Sequence, residues 1–123
     1  MSFRIYLSAD SEEESVRMRV MGTREAIYFE RRPIFTNHDV EYAELYFTRD
    51  GSPEIYIAFY PDMEEELARI TAENVGKRLG IVISGRCLHA PLITEKVETG
   101  GVIIYGKISE MKAENIIDAI NEA

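Results

Sequence analysis

The chain of 123 residues has the length of one compact domain and carries a net charge of −8 at pH 7. A hydrophobic fraction of 46% is enough for a folded core, and the single cysteine, Cys87, excludes an intramolecular disulfide and a cysteine-built zinc site. The acidic balance argues against a nucleic-acid surface, and no segment approaches the roughly 18 apolar residues of a transmembrane helix. Residues 1–7 lack the basic start and long apolar stretch of a signal peptide, so either the protein stays in the cytosol or a targeting segment lies outside this sequence.

The N-terminal region predicts two short strands. Apolar side chains at every second position from Val16 to Val20 indicate a half-buried strand, and Ala26–Phe29 indicates another that ends before Pro33. Five arginines follow the acidic stretch Asp10–Glu14: Arg17, Arg19, Arg24, Arg31 and Arg32. They form either a solvated strand face that balances the acidic stretch or a site for an acidic partner.

A hairpin is the clearest element in the sequence. Alternating apolar runs over Val40–Thr48 and Glu54–Tyr60 flank a turn that contains Gly and Pro, Arg49–Pro53. One face of the hairpin is apolar: Ala43, Leu45, Phe47, Ile55, Ile57 and Phe59. The other face carries four of the seven tyrosines: Tyr42, Tyr46, Tyr56 and Tyr60. Tyrosine combines a large apolar area with a polar tip and little rotamer entropy, so this face is either a binding surface or is covered by the strand at Val16–Met21 or by a second copy.

Two amphipathic helices complete the pattern. The first is predicted to have Asp62 as N-cap and Gly76 as its left-handed C′ residue, and the second to have Ser109 as N-cap. Their buried stripes are Met63, Leu67, Ile70 and Val75 in the first, and Ala113, Ile116, Ile117 and Ile120 in the second. Between them we predict strands at Leu79–Ile83, Cys87–Thr94 and Val102–Tyr105. This order predicts an α+β two-layer sandwich, a mostly antiparallel sheet with amphipathic helices on one face.

One continuous segment resembles a known family. Glu73–Leu79 (ENVGKRL), Gly80–Ile83 (GIVI), the pair Gly85-Arg86 and the pair Gly100-Gly101 resemble the head of the first periplasmic domain of SecD, as do Ala90-Pro91 and Ile93. The resemblance implies one SecD-head-like domain over residues 1–123. Residues 34–122 would be the head proper, and residues 1–30 would add N-terminal strands to it.

The resemblance also implies a function. A SecD-like head is expected to be a non-catalytic module that contacts polypeptide or protein partners in export-related processes, on the outer side of the cytoplasmic membrane. SecD and its partner SecF couple proton flow to translocation through a membrane-embedded part, which this sequence lacks, so we expect neither a motor nor direct membrane insertion. An assembly domain that forms a homodimer is the alternative, and an open strand edge beside the tyrosines would suit a peptide added as a further strand.

Few residues suggest catalysis, metal binding or a cofactor. Cys87 and His89 stand two apart in a predicted strand, so they are expected to share a face and are the candidates for an activated thiolate. The neighbours His38-Asp39 do not aim at one point, and Asp50–Ser52 is too short for a calcium loop. Thr99–Gly101 precedes a strand instead of a helix N-terminus, which argues against a phosphate site. We therefore expect no metal and no cofactor, and an enzyme based on Cys87 and His89 is the least favoured function.

Overall fold

The computed structural model describes residues 2–106 and 108–122, and in this part of the chain we find nine strands and two α-helices. The strands are β1 (Phe3–Leu7), β2 (Ser15–Arg19), β3 (Ala26–Glu30), β4 (Phe35–Thr36), β5 (Val40–Phe47), β6 (Pro53–Phe59), β7 (Leu79–Ile83), β8 (Arg86–His89) and β9 (Gly101–Ile104). The helices are α1 (Pro61–Glu73) and α2 (Glu110–Asn121). Neighbouring strands pair antiparallel, so the predicted α+β class is confirmed.

The strands are divided over three sheets. One has four strands in the order β4-β1-β7-β8, one has three in the order β5-β6-β9, and β2 and β3 form a separate ribbon. The predicted hairpin is confirmed as β5 and β6. No strand is predicted from the sequence at Phe3–Leu7, yet β1 lies inside the four-stranded sheet, and four of its five residues are buried.

The main core lies between the four-stranded sheet, the three-stranded sheet and the two helices. Both sheets and both helices contribute fully buried side chains to it, including Phe3, Ile5, Phe35, Ile55, Ile57, Leu67, Ile81 and Ala113. Phe47 was expected on this apolar side but is exposed, because it lies at the end of β5 opposite Pro53, where the hairpin turns.

The β2–β3 ribbon covers the other face of the four-stranded sheet. A second, smaller cluster of buried side chains joins them: Tyr6, Val20, Phe29, Val82, Cys87 and Ala90. Gly80 makes the close approach possible, since a Cβ atom there would lie 2.4 Å from Cε1 of Phe29. The strand predicted from Val16 therefore packs on this sheet and leaves the tyrosine side of the hairpin uncovered.

Helix α1 differs from the prediction at both ends. Pro61 occupies the first helical position, which suits its fixed φ and missing N–H, so Tyr60 is the N-cap and Asp62 is not. The helix ends at Glu73, which leaves Val75 exposed instead of in the buried stripe. Gly76 does adopt a left-handed backbone, with φ of 96°. Among the residues described, neither helix is long and apolar enough to cross a membrane.

Helix α2 follows its prediction and also protects a sheet edge. The Ser109 side chain accepts a hydrogen bond from the backbone N–H of Lys112, as an N-cap should. At the other end, Asn121 Oδ1 accepts from the N–H of Ala43 at 2.9 Å, and Asn121 Nδ2 donates to the carbonyl of Ala43 at 3.1 Å. The outer edge of β5 is therefore bonded to α2.

Strand β8 is shorter than predicted. It ends at His89 instead of Thr94. Pro91, two residues further on, has no N–H and cannot donate to a ladder. Pro91 predicts an edge or a bulged strand, and β8 is both, since it is the outer strand of its sheet and its pairing with β7 is bulged between Ile81 and Val82.

Candidate functional site

The outer face of the three-stranded sheet brings together most of the predicted site. In the register of β5 and β6, Glu44 lies opposite Tyr56 and Tyr46 lies opposite Glu54. In the register of β6 and β9, Ile103 lies opposite Tyr56. Directly paired residues share a face of a sheet. We call this surface the tyrosine face, formed by Tyr42, Glu44, Tyr46, Glu54, Tyr56 and Ile103.

The tyrosine face is open and contains a shallow groove. Tyr42 is 38% exposed, Tyr46 is 50% exposed and Ile103 is 42% exposed. The rings of Tyr46 and Tyr56 meet edge to face, with centroids 6.4 Å apart. Between them and Ile103 lies a groove of about 300 Å³, with Thr99 at its side. Tyr60, the fourth predicted residue, lies beyond the end of β6 as the N-cap of α1 and does not line the groove.

The ring of Tyr56 is held by β9 and by the loop before it. Its hydroxyl donates to the carbonyl of Thr99 at 2.7 Å. Gly101 leaves room for this ring, because a Cβ atom there would lie 2.9 Å from the Tyr56 hydroxyl and 2.2 Å from the carbonyl oxygen of Ile57. The second glycine of the predicted pair therefore allows a close approach between two strands. This contact anchors one wall of the groove.

Two of the tyrosine hydroxyls are held in the neutral form. The pKa of Tyr46 is raised above its ordinary value, first by its hydrogen bond to the carboxylate of Glu44 and then by the charge of that group. The pKa of Tyr56 is raised by burial first, and then by electrostatic interactions with Tyr42 and Glu64. Each hydroxyl already donates its one proton, Tyr46 to Glu44 and Tyr56 to the carbonyl of Thr99, so what each offers to a ligand is the acceptor capacity of its oxygen.

The structure separates the candidate Cys87–His89 pair. Cys87 lies opposite Val82 and His89 lies opposite Ile81, with a bulge between them. Because Val82 and Ile81 point to opposite faces of the sheet, so do Cys87 and His89, and the predicted shared face is wrong. Burial raises the pKa of the Cys87 thiol, and burial lowers the pKa of His89. This arrangement does not activate a thiolate.

Other candidate sites have simple structural roles. His38-Asp39 belong to a short 3-10 turn in which the Asp39 carboxylate accepts from the N–H of Thr36 at 2.9 Å. Asp50 and Ser52 belong to the turn that joins β5 and β6. In residues 2–106 and 108–122, no group of three or more His, Cys, Asp or Glu side chains is placed to hold a metal ion.

One part of the tyrosine face was not predicted from the sequence. Ile103 was not named because the pairing of β9 beside β6 is a long-range contact. The alternation of the strand could have predicted its position. Val102 and Ile104 point into the core, so Ile103 between them must point outward.

Comparisons with known proteins agree with this fold. A family model described as the SecDF P1 head subdomain matches residues 13–122. The chain is 33% identical over 84 residues, 68% of its length, to protein translocase subunit SecDF of Thermus thermophilus. It is 28% identical over 93 residues, 76% of its length, to protein translocase subunit SecD of Aquifex aeolicus. It spans only 11% and 18% of these two relatives.

Solved structures show the same architecture. A crystal structure of SecDF in the super-membrane-facing form superposes with a TM-score of 0.82 and 22% identity, covering 99% of this chain and 19% of that one. A second SecDF structure gives a TM-score of 0.80 and 21% identity, covering 99% of this chain and 62% of that one. The family model spans most of the sequence, and the resemblance carried by the glycines and by Glu73–Leu79 is confirmed. The chain therefore belongs to the SecDF P1 head subdomain family.

Proposed function

We propose that this chain is a non-catalytic binding module that holds extended polypeptide on the tyrosine face. The observation that carries the proposal is a sheet face with exposed aromatic side chains that no element in the described residues covers. Related proteins are named protein translocase subunits, and one solved relative is described as a membrane component that enhances protein export. Those statements concern the relatives, and they support an export-related polypeptide partner for this chain.

The chemistry of the tyrosine face suits recognition without strict sequence preference. Aromatic rings and Ile103 offer apolar area, while the hydroxyls of Tyr42 and Tyr46 offer polar contacts at low entropic cost. The groove of about 300 Å³ has room for one or two peptide side chains and lies at the lower end of the range of small-molecule pockets, about 300–1,000 Å³. A peptide lying across it would make many small contacts, and Tyr60 would extend the contact toward α1.

The edges of the three-stranded sheet indicate where a peptide strand would pair. Asn121 already bonds the outer edge of β5 through Ala43. Strand β9 lies at the other edge, with β6 as its single partner strand in the described part of the chain. A peptide added as a strand would therefore extend the sheet at β9, beside Ile103.

The test is a titration of the ¹⁵N-labelled chain with an unfolded peptide rich in apolar residues. We expect amide shifts at Tyr42, Tyr46, Tyr56 and Ile103. Tyr46→Ala should weaken binding about tenfold, since truncating an aromatic anchor at an interface commonly costs about 1–2 kcal/mol. The matched control is Met111→Ala, which removes an exposed apolar side chain from α2 and should leave the affinity unchanged.

Two outcomes would contradict the proposal. Amide shifts confined to residues outside the tyrosine face would place the peptide elsewhere. The second is a dimer detected by light scattering that Tyr46→Ala abolishes. That result would assign the tyrosine face to self-association, the alternative function.

A further inference from the structure

A second surface feature lies on the β2–β3 ribbon, away from the tyrosine face. A surface groove of about 870 Å³ runs between β2, the turn at Met21–Arg24 and the turn that joins β7 to β8. Four arginines line it: Arg17, Arg19, Arg24 and Arg86. We call it the arginine groove. Three of these arginines belong to the arginine-rich zone noted in the sequence, whereas Arg31 and Arg32 lie at the other end of the ribbon with Glu14 and Glu30.

The arginine groove carries uncompensated positive charge. All four arginine side chains are exposed, and in residues 2–106 and 108–122 no carboxylate lies within 4.0 Å of their guanidinium groups. The nearby Glu25 instead pairs with Arg78, with 3.7 Å between its Oε1 atom and Nη1 of the arginine. In the acidic stretch, the Oδ2 atom of Asp10 lies 3.6 Å from Nζ of Lys77. These arginines therefore do not balance the acidic stretch, and they form a positive concavity on a chain whose net charge is −8.

Two strand edges border the groove. Strand β2 has β3 as its one ladder partner among the described strands, and β8 is the outer strand of its sheet. The two edges meet at a single parallel bridge between Val20 and Cys87, where the N–H of Met21 donates to the carbonyl of Cys87 at 2.9 Å. Away from this bridge, β2 and β8 form no ladder with each other. The groove therefore combines cationic side chains with strand edges to which an extended chain can add.

We propose that the arginine groove binds an extended, acidic polypeptide segment. Guanidinium groups pair well with carboxylates because they offer two parallel N–H donors, and strand edges offer further bonds to a peptide backbone. A flat anionic membrane fits less well, because the arginines line a concavity. An anionic membrane would also repel the chain as a whole, because its net charge is negative. A short acidic peptide segment is small enough to lie within the positive field of the arginine groove.

The experiment measures fluorescence anisotropy of a short labelled peptide rich in glutamate, titrated with the full chain. The same peptide with glutamine at every glutamate position serves as the uncharged probe. We expect saturable binding of the acidic peptide alone. Replacing three arginines together, Arg17→Gln, Arg24→Gln and Arg86→Gln, should weaken binding by about tenfold or more, since several charge-assisted contacts are lost at once. Arg19 is left in place because its Nε donates to the carbonyl of Thr23 and supports the turn.

The matched control is Arg49→Gln, which removes one positive charge from the turn between β5 and β6 and should change the affinity less than about twofold. The single variant Arg24→Gln, in an exposed turn, provides a second measurement if the triple variant does not fold, and should weaken binding about threefold. Three results would overturn the proposal: equal binding of the glutamine peptide, an equal loss in Arg49→Gln, or co-sedimentation with phosphatidylglycerol vesicles without binding of the acidic peptide.

Discussion

His89 is a partly buried imidazole with an unusual environment. Its Nε2 has no hydrogen-bond partner among the residues described, and its ring meets that of Tyr105 edge to face at a centroid distance of 4.4 Å. Lys112 lines the same cavity, of about 490 Å³. Burial lowers the pKa of His89, so the folded protein favours the neutral ring. A proton on this ring would lie in a partly apolar cavity that already contains a cation.

Acid should therefore destabilise the fold through His89. The unfolded chain takes up this proton near about pH 6.5, whereas the folded chain takes it up only at lower pH. The stabilising contribution is complete above about pH 6.5 and is lost as the pH falls toward the pKa of the folded state. Urea unfolding across this range should show a steeper loss of stability for the unsubstituted chain than for His89→Gln. Parallel pH profiles for the two chains would contradict the prediction.

The Cys87–His89 pair shows why single residues are hard to place from sequence. Strict alternation puts residues two apart on one face, and this rule made the pair a candidate site. The bulge after Cys87 breaks the alternation, and although Pro91 predicts an edge or a bulged strand, it does not indicate at which residue a bulge falls. Tyr46 and Tyr56 were placed correctly because both lie in regular stretches of strand.

At the scale of elements, a single side chain joins the end of α2 to the edge of β5. Asn121→Ala should destabilise the protein by about 1–2 kcal/mol, since it removes both hydrogen bonds to the backbone of Ala43 and leaves that edge unpaired. Urea unfolding measures the loss. Asn115→Ala on the same helix removes an exposed amide and should cost less than about 0.5 kcal/mol. If both variants lose the same stability, the bond to β5 is not the cause.

Elements with a regular period were predictable, and β1 was not. The hairpin alternates and the helices carry apolar stripes, so both follow from the sequence. Phe3–Leu7 faces the main core on one side and the smaller buried cluster on the other, and a strand that is buried on both faces does not show a clear apolar–polar alternation. The contact that reveals β1 is its pairing with β7, far along the chain.

At the scale of the whole molecule, the two proposed surfaces differ in chemistry. The tyrosine face combines aromatic rings with Ile103, whereas the arginine groove is cationic. The sequence alone does not decide whether the strand at Val16–Met21 covers the tyrosines, because that depends on which sheet the ribbon packs against. In the structure the ribbon packs on the four-stranded sheet, so both surfaces remain accessible.

Salt should therefore separate the two binding activities. Raising NaCl from about 50 to about 300 mM shortens the Debye length and should weaken binding of the acidic peptide several-fold. Binding of the apolar peptide on the tyrosine face should change less than about twofold, because burial of apolar area is not screened. Anisotropy titrations of both peptides at the two salt concentrations measure this. An equal loss for both peptides would contradict the assignment of two chemically distinct surfaces.

The position of β1 has a consequence for biogenesis. On the ribosome this strand is made well before β7, the neighbour in which Ile83 lies opposite Phe3 and Leu79 lies opposite Leu7. Until β7 emerges, β1 can pair only with the two-residue strand β4, and closing the more distant pairing with β7 is slow compared with forming a local hairpin. During synthesis we therefore expect Phe3, Ile5 and Leu7 to lack one of their two neighbouring strands until residues 79–83 have been translated.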